Sequence, residues 1–386
     1  MKKIISIILS IFLCAFCVLP AFCEENNALL ESLTAKACVL MDLDSGEILL
    51  AKNENEKLPP ASITKIMTLL LCFEAIDSGN LSLDDTVTAS TNASKKGGSQ
   101  IWLKENETMT VNELLKATVI ASANDACTAL GEKIAGDEEA FVVMMNERAK
   151  EMGLQNTNFE NCSGLDDTAE NHYSSALDIA LMSRELMKHE KVKEYTCIWM
   201  DSLRGGATQL VNTNKLIRFY EGATGLKTGT TSKAGHCISA TAERNGVKLC
   251  AVVLGADTGD HRFEEAKKLL NYGFANYALF TPVLDEALIT NVNVLYGKTN
   301  VIVPKVVPAE SSLLPKGSET SVTQRVDLCV DVEAPVEKGQ TLGCIYYEID
   351  GKEIAKSQII SEESVERKTF WYIMYLLWSS FAGNNF

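Results

Sequence analysis

Residues 59–68 read Pro59-Pro60-Ala61-Ser62-Ile63-Thr64-Lys65-Ile66-Met67-Thr68. One serine and one lysine stand three positions apart, where an apolar run begins. On a helix that spacing puts both side chains on one face, a turn apart. A serine hydroxyl is a weak nucleophile until a base takes its proton. A lysine can be that base when burial or a neighbouring cation lowers its pKa. A helix start adds the positive end of the backbone dipole, which favours negative charge on an attacking oxygen. Taken alone, the same stretch also describes a serine that caps a helix and a lysine in solvent. Which description holds decides the fold, and the rest of the chain bears on it.

Two further stretches matter. Lys227-Thr228-Gly229-Thr230 lies within Gly225–Thr231, just ahead of the strand-like run Gly235–Ala242. A lysine and hydroxyls at a strand edge can hold a carboxylate through charge-assisted bonds. Gly229 would let a substrate backbone approach closely. A surface turn with a solvated lysine is the plain alternative. Ser122-Ala123-Asn124 sits between a helical pattern over Val111–Ile120 and another opening at Asp125. Side chains on such a short connection can point into a cleft. S-x-N also occurs at Ser78-Gly79-Asn80 and Ser90-Thr91-Asn92, so the setting of Ser122 carries the weight.

S-x-x-K, S-x-N and K-T-G in this order form the set shared by penicillin-binding proteins and class A β-lactamases. Here all three are present, with Ala123 in the middle of the second. The chain resembles a low-molecular-weight penicillin-binding protein of the D-alanyl-D-alanine carboxypeptidase family. The likeness extends to Gly97-Gly98-Ser99-Gln100-Ile101-Trp102-Leu103 and to Gly164-Leu165-Asp166 with His172 and Ser174–Asp178. It includes Asn212-Thr213-Asn214-Lys215-Leu216, a β-rich region and the tail, and so covers nearly the whole mature chain. Two small departures are Ala123, where glycine is often found, and a loop Lys104–Glu107 without the family's glycine.

The resemblance implies roles. Ser62 attacks the carbonyl of a D-Ala–D-Ala bond and forms an acyl-enzyme, and Lys65 accepts its proton. Ser122 relays a proton to the leaving amine, and Asn124 places substrate and lysine. Lys227 and Thr228 bind the terminal carboxylate, with Gly229 and Thr230 completing the substrate strand. The N–H groups of Ser62 and Thr230 face the oxyanion. Peptidoglycan stem peptides are the implied substrates and β-lactam antibiotics the implied inhibitors. No metal or organic cofactor is implied.

Other readings are weighed on the same residues. A class A β-lactamase would carry an E-x-x-L-N pattern, which the chain lacks. A penicillin-binding sensor that does not cleave would keep the pocket without turnover. Endopeptidase or transpeptidase action would differ only in the acyl acceptor. A Ser-His-Asp hydrolase would need a G-x-S-x-G turn, which is absent. His172, His189 and His261 read as surface or structural residues, and His236 as a core or rim residue.

The chain has 386 residues and a net charge of −15, from 51 acidic against 36 basic side chains. That length implies two or three domains, and that charge argues against nucleic acid as a partner. Lys2 and Lys3 precede an apolar run Ile4–Leu19 and then Ala21-Phe22-Cys23. This is a secretory signal over residues 1–23, so an exported protein at the outer face of the cytoplasmic membrane is expected. Phe22 is too bulky to favour lipidation at Cys23. Of 12 cysteines, three leave with the signal. The others are odd in number and irregularly spaced, which reads as buried free thiols.

Periodicity predicts a hairpin over Ala37–Leu50 around Asp44-Ser45-Gly46. Helices are predicted over Ser62–Ile76, Val111–Ile120, Ala126–Ala135, Glu138–Met152, Leu177–Lys188 and Glu264–Tyr277. Strands Gly235–Ala242 and Lys248–Gly255 flank a turn at Asn245-Gly246. The expected fold is α+β, of the β-lactamase/DD-peptidase-like kind: a mixed sheet flanked by helices and closed by both chain ends, over residues 24–281. A small all-β domain follows over 282–361. In the tail, 362–386, Phe370–Trp378 is aromatic-rich behind Arg367-Lys368. That run is too short to span a bilayer and suits an interfacial membrane anchor, packing on the protein being the alternative.

Overall fold

The structure is a computed structural model that describes residues 28–166 and 169–381. The segment read as a secretory signal lies outside them. The chain folds as two units, one running to Ala275 and the other beginning at Asn276.

The first unit is built on a five-stranded sheet. Its strands are β1 (Ala37–Asp42), β2 (Ile48–Lys52), β3 (Ala223–Thr231), β4 (Gly235–Arg244) and β5 (Val247–Ala256), in the spatial order β2-β1-β5-β4-β3. The first strand pairs with the last, so both ends of the unit close the sheet as expected. Every pairing is antiparallel, however. The expectation of a mixed sheet is corrected here. The pairs β1–β2, β3–β4 and β4–β5 are each joined by a short hairpin, which can only connect antiparallel neighbours. At the β4–β5 hairpin, Asn245 and Gly246 both take positive φ, 50° and 81°, the signature of the two-residue turn that the Asn-Gly pair favours.

The helical layer supplies the site's scaffold. Its helices are α1 (Lys65–Asp77), α2 (Val111–Ile120), α3 (Asn124–Ala135), α4 (Glu138–Glu151), α5 (Ala176–Met187) and α6 (Gly259–Asn276). Local chemistry sets their starts. Thr110 and Glu113 form a reciprocal capping box on α2, and Asp137 and Ser175 cap α4 and α5. Helix α1 is different, because residues 65–73 are all buried. A helix apolar on every side belongs in the middle of a core, and the main hydrophobic cluster wraps it. The predicted helix from Ser62 resolves into two parts: Ala61–Thr64 form a 3-10 turn, and the α-helix begins at Lys65. Ser62 makes no capping bond there, so the cap description of residues 59–68 fails.

The loop carrying Gly164 and His172 braces that turn. A Cβ at Gly164 would lie 1.8 Å from the Ala61 carbonyl oxygen, so only glycine fits. Glu160 N–H donates to His172 Nδ1 at 3.0 Å, which leaves the proton on Nε2 to meet Thr64 Oγ1 at 2.7 Å. His172 is therefore a structural residue, and a buried one. Burial pushes its pKa down to about 4 from 6.5.

The second unit is a small β domain. One antiparallel sheet orders Pro304–Val307, Lys352–Ser361, Thr341–Ile349 and Thr323–Leu328. A second holds Val292–Leu295 between Val301–Ile302 and Asp331–Glu333. Two small cores, around Val292 and around Ile345, hold it together. Its terminal helix α7 (Phe370–Phe381) has no buried residue. No helix among the described residues is long and apolar enough to cross a membrane.

His172 yields a stability prediction. Above pH 6.5 the ring is neutral in both folded and unfolded chains. As pH falls towards 4 the unfolded chain takes the proton first, so stability drops. The loss attributable to this ring is on the order of 3 kcal/mol. Unfolding free energies measured at pH 7 and pH 4.5 should differ less in His172→Gln than in the parent chain. An identical pH dependence in both would refute the assignment.

Candidate active site

The three motifs converge on one cleft from three elements. The 3-10 turn and the first residue of α1 carry Ser62 and Lys65. The connection between α2 and α3 carries Ser122, and the first residue of α3 is Asn124. The edge strand β3 carries Lys227, Thr228, Gly229 and Thr230. The lysine of the third motif lies inside this strand, not on a surface turn.

Lys65 is fully buried. Its Nζ reaches Ser62 Oγ at 2.9 Å, Asn124 Oδ1 at 2.6 Å and the Ser163 carbonyl at 2.7 Å. Burial lowers its pKa, against opposition from Cys127, Cys162 and Asp125 nearby. Ser62 is only partly buried, so its hydroxyl faces the cleft. Two residues of the site hold left-handed backbone: Ala61 at φ 48° and Ser122 at φ 62°. Such conformations are uncommon outside glycine and persist where the surroundings enforce them.

Lys227 is the second buried lysine, with 1% of its surface exposed. Its Nζ lies 2.8 Å from Ser122 Oγ and 3.0 Å from the Thr228 carbonyl. Burial pushes its pKa well down, and the charges of Lys65 and Arg262 add to the effect. Thr228 Oγ1 bonds Thr213 Oγ1 at 2.8 Å. Six of the eight residues singled out in the sequence therefore sort into two bonded groups. Ser62, Lys65 and Asn124 form one, and Ser122, Lys227 and Thr228 the other.

Gly229 joins the two groups. A Cβ there would lie 2.9 Å from the Pro60 carbonyl and 3.0 Å from the Ser62 nitrogen. The missing side chain admits the serine's own turn. Strand β3 is thereby pressed against the N–H of Ser62, with Thr230 next along the strand.

Four contributors escaped sequence reasoning. Asp125 is fully buried, and its carboxylate accepts from Ile101 N–H at 3.2 Å and Leu103 N–H at 2.9 Å. This fixes the loop whose Gly97 carbonyl receives Asn124 Nδ2 at 2.8 Å. An acid in the first turn of a helix looks like an ordinary dipole partner, so nothing in the sequence flagged it. Arg262 on α6 donates to the Gly229 carbonyl at 3.0 Å and to Thr230 Oγ1 at 2.8 Å. It lies in a helix after the third motif, with no spacing to mark it. The other two are Thr213, which sits in a stretch already noted but without a role, and the Ser163 carbonyl, which carries no side-chain signal at all. His236 lies at the rim, 3.5 Å from Thr230 Oγ1. Among the described residues no cluster of His, Cys, Asp or Glu could hold a metal ion. The nine cysteines in the described residues are all free, and six are buried.

Comparison with known proteins decides the family. Residues 24–258 match the family model described as D-alanyl-D-alanine carboxypeptidase. The chain belongs to that family. Residues 277–367 match the model of the C-terminal domain of penicillin-binding protein 5. Among family members, D-alanyl-D-alanine carboxypeptidase DacF of Bacillus subtilis is 40% identical, over 96% of this chain and 96% of its own. The crystal structure of penicillin-binding protein 5 from Haemophilus influenzae superposes with a TM-score of 0.72 at 33% identity, covering 87% of this chain and 98% of that one. Penicillin-binding protein D2 of Listeria monocytogenes, solved in its ampicillin-bound form, is 34% identical over 63% of this chain and 98% of its own, with a TM-score of 0.58. As a member of the carboxypeptidase family the chain is a serine peptidase.

The contact at Gly229 is testable. Gly229→Val would drive a side chain into the Pro60 carbonyl and the Ser62 nitrogen. A displacement of the nucleophile by about 1 Å costs on the order of a hundredfold in rate. Stopped-flow acylation by a fluorescent penicillin should slow by that order while thermal unfolding shifts only slightly. Unchanged acylation would show that the strand does not position Ser62.

Proposed function

We propose that this peptidase removes the terminal D-alanine from peptidoglycan stem peptides through an acyl-enzyme on Ser62, and that β-lactams acylate the same oxygen. One observation carries the reading: the hydrogen-bond inventory around Lys65. A neutral amine has two N–H donors and one lone pair. Asn124 Oδ1 and the Ser163 carbonyl can only accept. The Ser62 hydroxyl is the only partner able to donate. In the neutral form, which burial favours, its lone pair therefore faces the serine proton.

The steps follow from the geometry. Ser62 Oγ bonds to the scissile carbonyl carbon as its proton moves to Lys65 Nζ. The oxyanion meets the N–H groups of Ser62 and Thr230. Collapse breaks the C–N bond, and the departing amine takes a proton from Ser122, whose oxygen lies against Lys227. The proton that Lys65 took from Ser62 replaces it, so Lys65 is neutral again. Water then adds to the ester as Lys65 takes its proton. Lys65 returns that proton to Ser62 Oγ as the ester breaks and the shortened peptide is released. The substrate's terminal carboxylate sits by Lys227, Thr228 and Thr230, with Arg262 adding positive charge. An anion there favours the charged form of Lys227, which the empty site disfavours.

The export and membrane readings belong here as well. The apolar run behind Lys2-Lys3 supports secretion. On α7, the exposure of Trp371 and Trp378, both 78%, and of Phe381 at 90% supports a tail lying in the interface at the outer face of the cytoplasmic membrane.

Mass spectrometry after exposure to penicillin, and separately to a peptide ending in D-Ala-D-Ala, tests the central reading. A stable adduct on Ser62 with release of one D-alanine is expected. An adduct without peptide turnover would make the protein a sensor, and rapid penicillin hydrolysis without an adduct a β-lactamase. Lys65→Ala should fold and lose acylation, and normal penicillin labelling in it would sink the base assignment. Binding a carboxylate ligand at neutral pH should take up protons at Lys227, read as a dependence of calorimetric enthalpy on the buffer's ionisation enthalpy. Buffer-independent enthalpy would contradict that charge assignment.

A further inference from the structure

Trp102 is held out of the protein by its own backbone. Its side chain is 75% exposed, and no other large apolar side chain between Ile48 and Val143 is in that state. Its φ of 59° is one that a bulky residue adopts only under constraint. The constraint is visible on both sides. Ile101 N–H and Leu103 N–H bind the buried Asp125 carboxylate at 3.2 and 2.9 Å. Arg204 donates to the Ile101 carbonyl at 2.8 Å and to Glu107 Oε1 at 2.6 Å. The other Glu107 oxygen receives Lys104 N–H at 2.9 Å. The same loop meets the catalytic segment where Ser99 O accepts Asn124 N–H at 2.7 Å. An exposed indole thus stands on a loop whose backbone is fixed to the segment that carries Asn124.

We propose that Trp102 is a stacking platform for a sugar ring of the glycan to which the stem peptide is attached. The inference rests on the carboxypeptidase reading, since that reading supplies a peptide joined to a saccharide. The chemistry of the surroundings selects the ligand. A protein or lipid contact needs an extended apolar patch, and Trp102 has none along its loop. Its exposed or half-exposed neighbours with polar side chains include Ser99, Gln100, Lys104, Glu105 and Asn106, which offer hydroxyl, amide, ammonium and carboxylate groups. An aromatic face ringed by such groups matches a pyranose, whose flat C–H face stacks while its hydroxyls and acetamido groups bond at the edges. Holding the backbone that carries the ring lowers the entropy cost of binding.

The test compares two substrates in Trp102→Gly and Trp102→Phe. Glycine accepts the positive φ, so the loop keeps its path when the ring is removed. For a disaccharide pentapeptide, KM should rise about tenfold in Trp102→Gly with kcat retained, a change equivalent to one lost contact of modest strength. For a diacetylated tripeptide ending in D-Ala-D-Ala, the rise should be much smaller, and Trp102→Phe should recover most of the loss. Equal changes for both substrates, or no change for either, would overturn the proposal. Titrating the sugar-only disaccharide against indole fluorescence reads the site without turnover. A response that disappears in Trp102→Gly supports it, and a silent parent chain overturns it. Failure of the parent chain to release D-alanine from the tripeptide would instead count against the carboxypeptidase reading, with the fluorescence titration still deciding the saccharide site.

Discussion

The structure depends on a lysine kept out of water. Lys65 opens a helix that is buried on all sides, and all three of its contacts are protein oxygens. A buried ammonium is costly, and loss of the proton relieves that cost. The core that stabilises the domain therefore also favours the neutral form of this lysine. Its partners come from three separated parts of the chain: the turn of Ser62, the start of α3 and the loop before Gly164. Each must be held firmly, because an amine with one partner misplaced would lose the direction of its lone pair.

Much of the surrounding architecture serves that firmness. Asp125 and Arg204 fix the loop above the cleft. His172 and Gly164 brace the turn below Ser62, where Gly164 meets the Ala61 carbonyl too closely for any side chain. Gly229 lets strand β3 close against the serine's nitrogen. These contacts are polar or steric and buried, so each acts by geometry more than by net energy. The left-handed conformations at Ala61, Trp102 and Ser122 belong to the same bracing. Strain of this kind survives only where several neighbours impose it.

Two lysines share one buried space, and their roles differ by what else surrounds them. Lys65 has two fixed acceptors and one hydroxyl. Lys227 has a hydroxyl and a carbonyl, stands on an edge strand, and lies near Arg262 on the substrate side. The two lysines thus differ in their partners, not in residue type.

The sequence by itself determined the three motifs, their order and most elements. Apolar periodicity marked α2 to the residue and α4 and α5 within one residue at each end, because a helix that buries one face carries its period in the local sequence. The Asn-Gly turn located the β4–β5 hairpin. It did not reveal that the sheet is wholly antiparallel, because strand direction depends on which strands meet in space. Nor did it show that Ser62 precedes the α-helix on a 3-10 turn, that Gly229 faces the nucleophile's own turn, or that Asp125, Arg262 and the Ser163 carbonyl complete the site. Only the tertiary structure decided these, for one physical reason: motifs record which groups are present, whereas the direction of a lone pair is set by neighbours up to 98 residues away in sequence.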